Sequence, residues 1–518
     1  MITDIPELRH HIAQYLDFAT LKAFSVVCKA WYLDAQPLLW SNFRCRVPQE
    51  CSAPEEYTLW LDALRKNAIS FRDIWYVWYM GPLPPEICDV LQGRCHSVVS
   101  ILMRINAWEF QGPVCRWEET LRPLIEQNRI TLRQLELHLN DDLPVAFLPS
   151  LLASLPHLRS LVLFPSRIMV EDVFAILDRC PSSLERFSLG TRSKLDRRES
   201  VNNPDYSSIP SIAKPLRLKY LSLPYSDIQG SIEGILSRVA AHSLQDFRID
   251  AAYCLRITPT VRDALWRLTS LTVQDMKGAL SGILEAIHPH QLRQAYLYEM
   301  YSECITKLIE KQHQSLETLN LHFDEQHPGT LADILATCGR LKRLKFSVLP
   351  FVKIGTLIDP QKPWVCTELE NFEGNFGLTL PVEAQVPGCL ASNESVDATS
   401  IEEGFMRRLG RLTNLRCVVQ KGRGLDGIHD PVTGEQRERG SMEWSLASGL
   451  EHLHGLVNLQ TFKVLDRGPR KWIGVPEMIF IKQHWQSLKE MVCNDVGEIV
   501  VQEWLATERP ELKATIVQ

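Results

Sequence analysis

The stretch LRSLVLF at residues 158–164 returns 26 residues later as LERFSLG at residues 184–190. Both stretches follow the pattern L-x-x-L-x-L, in which another apolar residue can replace a leucine. Further copies begin at Leu132, Leu218, Leu244, Leu268, Leu292, Leu316 and Leu341, and a degenerate copy precedes them at Val98, Ile101 and Met103. Because most steps are 24 to 28 residues, this 518-residue chain is predicted to be an array of repeats rather than three or so unrelated domains.

Four weaker copies continue the array toward the C-terminus. They begin at Leu369, Leu415, Leu459 and Leu488, and they end in Gly374, Gln420, Val464 and Cys493, where a leucine is usual. Helical segments such as VEDVFAILDRC at 170–180 and CITKLIEKQ at 304–312 lie between the copies. Each unit is therefore predicted to be a strand followed by a helix.

A single strand and a single helix cannot bury both of their apolar faces. Stacked units can, because they form a parallel sheet on one side and a layer of helices on the other. This arrangement resembles the leucine-rich-repeat family, whose repeats run about 20–29 residues. The resemblance covers roughly residues 95–518 and implies an α/β solenoid, a horseshoe with parallel strands on its concave face. The family's usual asparagine or cysteine after L-x-L is mostly missing, so we expect different turn chemistry.

The residues between the pattern leucines must point out of the opposite face of the sheet, because side chains alternate along a strand. Exposed aromatic and arginine side chains are typical contact residues, so we predict that the concave face binds a protein substrate. The candidate contact residues are Phe164, Tyr220, Arg248, Tyr296, Tyr298, His322, Arg343 and Lys345. Long loops could instead cover some of them. Basic clusters such as Arg343 and Lys345 are either solvated surface or a site for an acidic or phosphorylated segment.

Three steps in the array are longer than the rest and contain polar or turn-forming sequence. We predict loop insertions there, near 191–215, 375–403 and 421–443, within a solenoid that spans 98–518. Residues 47–97 are predicted to be a linker and a helical N-terminal cap that covers the open edge of the first repeat. The tryptophans of this segment, including Trp60 and Trp75, either pack in the cap or form a peptide groove.

The first 46 residues have no leucine register. They contain DIPELRHHIAQYLDFATLKAFSVVCKAWYLDAQPLLWSNF at 4–43. Pro6 suits the first turn of a helix, and Asp17 can cap a second helix. Three short helices with this many large apolar side chains cannot bury them all by themselves, so we expect a partner to cover some.

The order of these residues resembles a fungal-type F-box, the adaptor-binding module of SCF-type ubiquitin ligases. The matching residues are Ile5-Pro6-Glu7, Ile12, Tyr15-Leu16, Leu21, Val26-Val27-Cys28-Lys29, Trp31 and Leu39-Trp40. The family often opens with Leu-Pro-x-Glu, whereas this chain has Ile-Pro-Glu-Leu, one residue shorter. The resemblance covers residues 1–46 and implies docking to a Skp-type adaptor and, through it, to a cullin. The implied adaptor-binding residues are Ile5, Pro6, Leu8, Ile12, Leu16, Leu21, Val27, Trp31 and Trp40.

The combination of an F-box with leucine-rich repeats implies the substrate-recognition subunit of such a ligase, with a target protein held on the repeats. One alternative is that the N-terminal apolar residues only pack against the repeats. Another is an interaction scaffold without a role in ubiquitination. A third is an enzyme with its site in the loops 375–403 or 421–443.

The composition argues against some classes of protein. Lysine and arginine number 56 against 62 aspartate and glutamate residues, so the net charge of −6 argues against a dedicated nucleic-acid binder. No run of about 20 apolar residues indicates a membrane span, and no secretory signal is visible. The 14 cysteines form no Cys-x-x-Cys pair, which favours reduced thiols in the cytoplasm, the nucleus or both.

The sequence contains only weak matches to cofactor-binding and metal-binding motifs. Gly422, Gly424 and Gly427 spell G-x-G-x-x-G, but HDPVTGEQ follows where a dinucleotide site requires a helix. The histidine pairs at 288/290 and 452/454, like the group Cys88, Cys95 and His96, lack the spacing of metal ligands. We therefore expect a protein that is not an enzyme, with no catalytic residues, no cofactor and no metal.

Overall fold

The fold comes from a computed structural model. It describes residues 6–45, 54–78, 85–105, 117–138, 147–164, 168, 170–190, 215–223, 231–251, 257–275, 279–324, 329–349, 352–377, 398–421, 444–465, 473–494, 504–505 and 507–517. The chain divides into two compact units. Unit 1 comprises Met1–Ile249 and Thr258–Arg267, and unit 2 comprises Asp250–Ile257 and Leu268–Gln518.

Three short helices open the described chain where the N-terminal sequence predicts them. They are α1 (Pro6–Gln14), α2 (Phe18–Ser25) and α3 (Lys29–Leu39). The carboxylate of Asp17 caps α2 by accepting a hydrogen bond of 2.7 Å from the amide N–H of Thr20. Hydrogen bonding to Thr20 lowers the pKa of Asp17, so the capping group stays ionised at neutral pH.

The rest of unit 1 alternates strands and helices. In chain order they are β1 (Asn42–Cys45), α4 (Pro54–Asn67), β2 (Asp73–Trp78), α5 (Pro85–Arg94), β3 (Ser100–Ile105), α6 (Trp117–Gln127), β4 (Gln134–His138), α7 (Leu148–Ala153), β5 (Ser160–Phe164), α8 (Val170–Arg179), β6 (Arg186–Leu189), β7 (Tyr220–Leu223), α9 (Ser231–Leu236), β8 (Asp246–Ala251) and α10 (Pro259–Leu265). The strands pair in parallel and in chain order from β1 to β8. The helix predicted at 170–180 is present as α8.

The parallel ladder of unit 1 begins before residue 98, where the leucine pattern places its first copy. Strand β1 lies in the segment that resembles an F-box, and β2 lies in the predicted linker and cap. Phe43 and Ile74 fill the core positions of these strands, and Phe43 stacks on Phe71 with ring centroids 4.6 Å apart. Leucine periodicity misses these units because other apolar residues take the leucine positions.

Unit 2 continues the alternation. Its elements are β9 (Ser270–Asp275), α11 (Ala279–Ala286), β10 (Gln294–Met300), α12 (Ser302–Gln312), β11 (Thr318–Asp324), α13 (Thr330–Thr337), β12 (Arg343–Leu349), β13 (Val352–Lys353), α14 (Ile354–Leu357), β14 (Asn371–Gly374), β15 (Phe376–Gly377), α15 (Ala398–Leu409), β16 (Cys417–Lys421), β17 (Thr461–Leu465), α16 (Val475–His484), β18 (Glu490–Asn494) and β19 (Lys513–Val517). The 3-10 turns Leu446–Ser448 and Leu450–Gly455 precede β17. The main ladder is parallel in the order β9, β10, β11, β12, β14, β16, β17, β18, β19, while β13 pairs with β15.

The pattern leucines fill the core of each unit. Leu161 and Leu163 on β5 are buried, as are Leu319 and Leu321 on β11. Parallel strands with helices between them, and leucines in equivalent buried positions, are the leucine-rich-repeat architecture that the periodicity predicts. Curvature into a horseshoe stays a prediction.

The predicted insertions lie mostly outside the described residues. Of 191–215, only residue 215 is described, and of 421–443, only residue 421 is described. The third, 375–403, contains β15 at its start and overlaps α15, which begins at Ala398. The repeat that follows β14 therefore has its own helix after the insertion.

Side-chain amides near two helix C-termini satisfy backbone groups in the turns that precede β3 and β10. Asn128, one residue beyond α6, accepts a hydrogen bond of 2.9 Å from the amide N–H of Val98 and donates one of 2.7 Å to the carbonyl of Cys95. Gln312, the last residue of α12, accepts from the N–H of Leu292 and donates to the carbonyl of His288. Each amide belongs to the repeat that follows the turn whose backbone groups it satisfies. It therefore links that repeat to the one before it.

Two of the weak leucine copies have a physical explanation in the core. Gly374 occupies a core position of β14, and the ring of Phe346 lies where a side chain at 374 would project. Gln420 is fully buried on β16, where it donates to the carbonyl of Phe376 at 2.8 Å and accepts from the indole N–H of Trp444 at 2.6 Å. A leucine would collide at the first position and would leave two polar groups unpaired at the second.

Candidate functional site

The N-terminal helices form a small core of their own. Ala13, Leu21 and Ala35 are buried together, and the partly buried Leu16, Leu38 and Leu39 pack against them. Arg9 on α1 donates a hydrogen bond of 2.7 Å to the carboxylate of Asp34 on α3. These contacts hold the three helices against one another.

Several large apolar side chains of these helices remain outside that core. Ile12, Tyr15, Val26 and Val27 are 37%, 78%, 83% and 66% exposed, and we call them the N-terminal apolar residues. Ile12 lies in the last turn of α1, Tyr15 directly follows α1, and the valines follow α2. Exposed apolar side chains that form a contiguous patch are typical of an interaction site, so these four residues are candidates for one.

The predicted adaptor-binding residues divide by burial. Ile12 and Val27 are exposed, whereas Leu21 and Trp31 are buried. The burial of these two assigns them to the packing of the helices, because a side chain enclosed by its own chain offers no surface to a partner. Trp31 meets the ring of Phe24 edge-on at 4.7 Å.

The other predicted adaptor-binding residues lie between these extremes or outside the described part. Leu8, Leu16 and Trp40 are partly buried, and Trp40 stacks on Phe71 with centroids 6.3 Å apart. Pro6 begins α1, and Ile5 lies outside the described residues. Tyr15 and Val26 match the F-box pattern but are missing from the predicted contact set. Their position at the ends of α1 and α2 is the feature of the sequence that could have placed them in that set.

The linker and cap segment also joins the helices to the ladder. The amide of Gln36 on α3 donates 2.7 Å to the side-chain oxygen of Asn67 at the end of α4. The amide N–H groups of Arg72 and Asp73 both donate to the carbonyl of Ser41. Trp60 on α4 stacks on Tyr57 at 6.1 Å.

On the outward sheet face of unit 1, Phe164 belongs to a stack of side chains. Its ring lies 4.1 Å from the ring of His138 on the neighbouring strand and covers the place where a side chain at Gly190 would project. The Nε2 atom of His138 lies 2.8 Å from the carboxylate of Glu136. Phe164 is therefore half-buried by its neighbours on the face.

Tyr220 and Arg248, the other predicted contact residues of unit 1, differ in exposure. The guanidinium of Arg186 lies 4.0 Å from the centroid of the Tyr220 ring, a cation–π contact between adjacent strands. Arg248 is exposed. Their contact with a substrate stays a prediction.

In unit 2 the register brings the remaining predicted contact residues together. Tyr296 on β10, Asn320 on β11 and Lys345 on β12 are direct neighbours across the ladder. Tyr298 and His322 are neighbours one step further along the strands, and Arg343 lies one step before Lys345. We call these six the donor patch: Tyr296, Tyr298, Asn320, His322, Arg343 and Lys345.

The donor patch offers hydrogen-bond donors and positive charge. Arg343 and Lys345 are exposed, and the other four are partly buried. Among the described residues, the side chains of Asn320, His322 and Arg343 have no hydrogen-bond or ion-pair partner. Asn320 is not among the predicted contact residues, because that selection favoured aromatic and basic types.

An acidic residue borders the donor patch. Glu373 on β14 is the ladder neighbour of Lys345, and its carboxylate lies 3.2 Å from the ammonium of Lys345 and 2.7 Å from that of Lys421. Partial burial on its own would raise the pKa of Glu373, but hydrogen bonds and charges from Lys421 and Lys345 outweigh it and lower the pKa overall. The carboxylate is thus charged at neutral pH and neutralises part of the two lysines.

Several of the groups weighed for metal or redox chemistry make contacts within the chain. Burial raises the pKa of the Cys95 thiol to about 12, and its Sγ atom contacts the carbonyl of Ala68. His452 binds the carboxylate of Glu403 at 3.1 Å, and His290 meets the ring of His313. Within the described ranges no group of His, Cys, Asp and Glu is arranged to hold a metal ion. The glycine-rich motif at 422–427 lies outside them.

No described helix combines the length and apolar character needed to cross a bilayer. No family model matches this sequence, and no curated protein gives a significant match. Among solved structures, the TLR13–ssRNA13 complex is similar over 88% of this chain and 63% of that chain, with 15% identity and a TM-score of 0.34. The leucine-rich-repeat-containing protein LegL7 from Legionella pneumophila is similar over 74% of this chain and 97% of that chain, with 12% identity and a TM-score of 0.31. At such scores, the fold assignment depends on the repeats of this chain itself.

Proposed function

We propose that this chain is the substrate-recognition subunit of an SCF-type ubiquitin ligase. The observation that carries the proposal is the exposure of Ile12, Tyr15, Val26 and Val27 on or directly after helices that share a small core of their own. A Skp-type adaptor would cover them and connect the chain to a cullin. The leucine-rich repeats would hold the protein to be ubiquitinated.

The energetics support docking through these residues. Burial of four partly or largely exposed apolar side chains gives a gross gain on the order of 5–10 kcal/mol. Loss of translational and rotational freedom takes a large share of it. The apolar residues that close the helical core, such as Leu21, contribute by presenting the exposed ones in a fixed arrangement.

The role assigned to the chain is proximity rather than bond chemistry. Holding a target lysine near a ubiquitin-charged enzyme raises its effective concentration. The chain would therefore work without catalytic residues, cofactor or metal, with proteins as its partners rather than nucleic acid or membrane. We place this activity in the cytoplasm, the nucleus or both.

Adaptor capture tests the N-terminal part of the proposal. The full chain with Val27→Asp or Tyr15→Asp is expected to lose a purified Skp-type adaptor in a pull-down, because a carboxylate would be buried unpaired in the interface. Leu59→Asp is the matched control, since Leu59 is equally exposed but lies on α4 outside the F-box-like helices. Substitution of Leu16 is less informative because Leu16 packs on the helical core. Adaptor binding that ignores both variants would refute the assignment.

The alternative is a protein-interaction scaffold without ubiquitination, which the repeat fold alone would equally support. Affinity capture with mass spectrometry, comparing the full chain with one lacking residues 1–46, would identify bound proteins. Those proteins would then be added to a reconstituted ligase. Transfer of ubiquitin that depends on this chain supports the receptor, and bound proteins that stay unmodified support the scaffold.

A further inference from the structure

Glu373 on the outward face of unit 2 pairs with two lysines. One carboxylate holds two ammonium groups that come from the strands on either side of it, Lys345 on β12 and Lys421 on β16. The pair between Lys463 and Glu490 on the same face is one to one, at 2.9 Å. An anion that displaced the Glu373 carboxylate would therefore meet two ammonium groups at once.

The surroundings favour an anion over other ligands. From β10 to β12, the described outward side chains at the three registers of the donor patch include no carboxylate. They present instead the guanidinium of Arg343, the ammonium of Lys345, and the donors of Asn320 and His322. Charged donors of this kind bind carboxylate groups strongly when water is partly excluded. The two tyrosines supply apolar contact beside them.

We propose that the donor patch binds an acidic segment of a target protein and that Glu373 is an internal competitor for its lysines. The proposal deepens the proposed function, on which it rests, by naming the class of segment recognised. An acidic side chain of the target takes the place of the Glu373 carboxylate beside Lys345 and Lys421. Glu373 thereby sets a threshold, so that only segments with several carboxylates displace it.

The geometry sets the length of the probe. Five adjacent strands, from β10 through β16, span about 19 Å at the usual strand spacing. An extended peptide of about six residues crosses that distance. The probe is therefore a fluorescein-labelled peptide of six glutamates, with six glutamines as the neutral comparison, and binding to the full chain is followed by fluorescence anisotropy.

The decisive variant is Glu373→Gln, which removes the competing charge and keeps the size of the side chain. We expect it to tighten binding of the glutamate peptide roughly fivefold, because two lysines are freed at once. Lys345→Gln and Arg343→Gln are each expected to weaken binding roughly fivefold. A gain larger than that from removal of another negative charge on the same face would identify Glu373 as a competitor for these lysines.

Two matched controls separate the site from net charge. Glu490→Gln makes the same charge change on the same face but frees only Lys463, and Lys482→Gln removes a lysine of α16 that pairs with Glu508. We expect each of these two variants to change the affinity for the glutamate peptide by less than about twofold relative to the unmodified chain. Glu373→Ala must also tighten binding of the glutamate peptide. Agreement between the two variants guards against a folding defect in either one. Thermal unfolding of each variant checks its fold.

Several results would overturn the proposal. They are absence of binding by the glutamate peptide, no gain from Glu373→Gln beyond that from Glu490→Gln, or tighter binding of an oligothymidylate that also responds to these variants. The measurement contains no adaptor. Failure here therefore leaves the adaptor pull-down intact, and failure of the pull-down leaves this result intact.

Discussion

At the residue scale, the buried amide of Gln420 joins three parts of unit 2. It contacts Phe376 at the start of one predicted insertion and Trp444 just after another, while it is itself on β16. All three hydrogen-bonding groups are shielded from water, so each depends on this one side chain. Gln420, which breaks the leucine pattern, therefore holds these three segments together.

Gln420→Leu restores the repeat pattern but is expected to destabilise unit 2. The change leaves the indole N–H of Trp444 and the carbonyl of Phe376 buried without partners, at a cost of about 2–4 kcal/mol. Urea denaturation measures the free energy of unfolding. Gln483→Leu, the same change at an exposed position of α16, should stay within about 0.5 kcal/mol. Stabilisation by Gln420→Leu would show that the amide contacts do not matter.

Arg408 on α15 provides a second prediction at this scale. Its guanidinium donates to the backbone carbonyls of Leu357, Ile358 and Lys362, at 3.0, 2.8 and 2.8 Å, and so holds the chain that follows α14. Desolvation lowers the pKa of Arg408 below its usual value, yet the group remains charged near neutral pH. Arg408→Ala is expected to cost about 2–4 kcal/mol in urea denaturation.

The neighbouring arginine is the control for this variant. Arg407 is exposed and pairs only with Glu403 one turn earlier on α15. Arg407→Ala should therefore cost no more than about 0.5 kcal/mol. Equal losses for the two alanine variants would mean that the carbonyl contacts of Arg408 contribute nothing specific.

At the scale of elements, the stack is held by more than the parallel ladder. Asn128, just beyond α6, reaches the turn before β3, and Gln312 at the end of α12 reaches the turn before β10. Each contact satisfies backbone groups that neither the helix nor the ladder can reach. The coupling of one repeat to its neighbour therefore includes buried side-chain amides as well as leucine packing.

Asn128→Leu tests this coupling. The amide N–H of Val98 and the carbonyl of Cys95 would lose their partner, so we expect a loss of about 2–4 kcal/mol in stability. Hydrogen exchange should show the loss first at the Val98 amide. Asn458→Leu is the comparison, because Asn458 makes a similar contact to Thr413 at an exposed position and should cost less than about 1 kcal/mol. Unchanged protection of Val98 would contradict the role of Asn128.

At the scale of the whole molecule, the described cysteines report on both units. Burial raises the pKa of Cys95 to about 12 in unit 1, and that of Cys338 to about 11 and Cys366 to about 12 in unit 2. Their thiolate forms, which react with electrophiles, are scarce at neutral pH. Cys28, by contrast, is exposed at the start of α3.

Iodoacetamide labelling followed by peptide mass spectrometry uses this difference. Of these four cysteines, Cys28 should be modified first in native buffer, while Cys95, Cys338 and Cys366 should react only as urea unfolds their unit. Cys95 then reports on unit 1, and the other two report on unit 2. Native labelling of Cys366 at the rate of Cys28 would show that the core around it opens readily.

Sequence reasoning reached the repeat fold because the signal is local and periodic. A leucine such as Leu319 must be buried in every unit, and the distance to the next unit is fixed by one strand and one helix. It missed β1 and β2, where Phe43 and Ile74 hold the core positions without leucine spacing. The same locality identified the outward residues Tyr296 and Lys345, since strand alternation requires nothing beyond the strand itself.

The sequence by itself determined the kind of unit, its period and which side chains leave the sheet. Only the tertiary structure decided that Trp31 is enclosed while Val27 is exposed, and that Glu373 lies between two lysines. Lys345 and Lys421 are separated by 76 positions along the chain, and only the ladder brings them to one carboxylate. Burial and charge pairing depend on such distant neighbours, whereas periodicity depends on near ones.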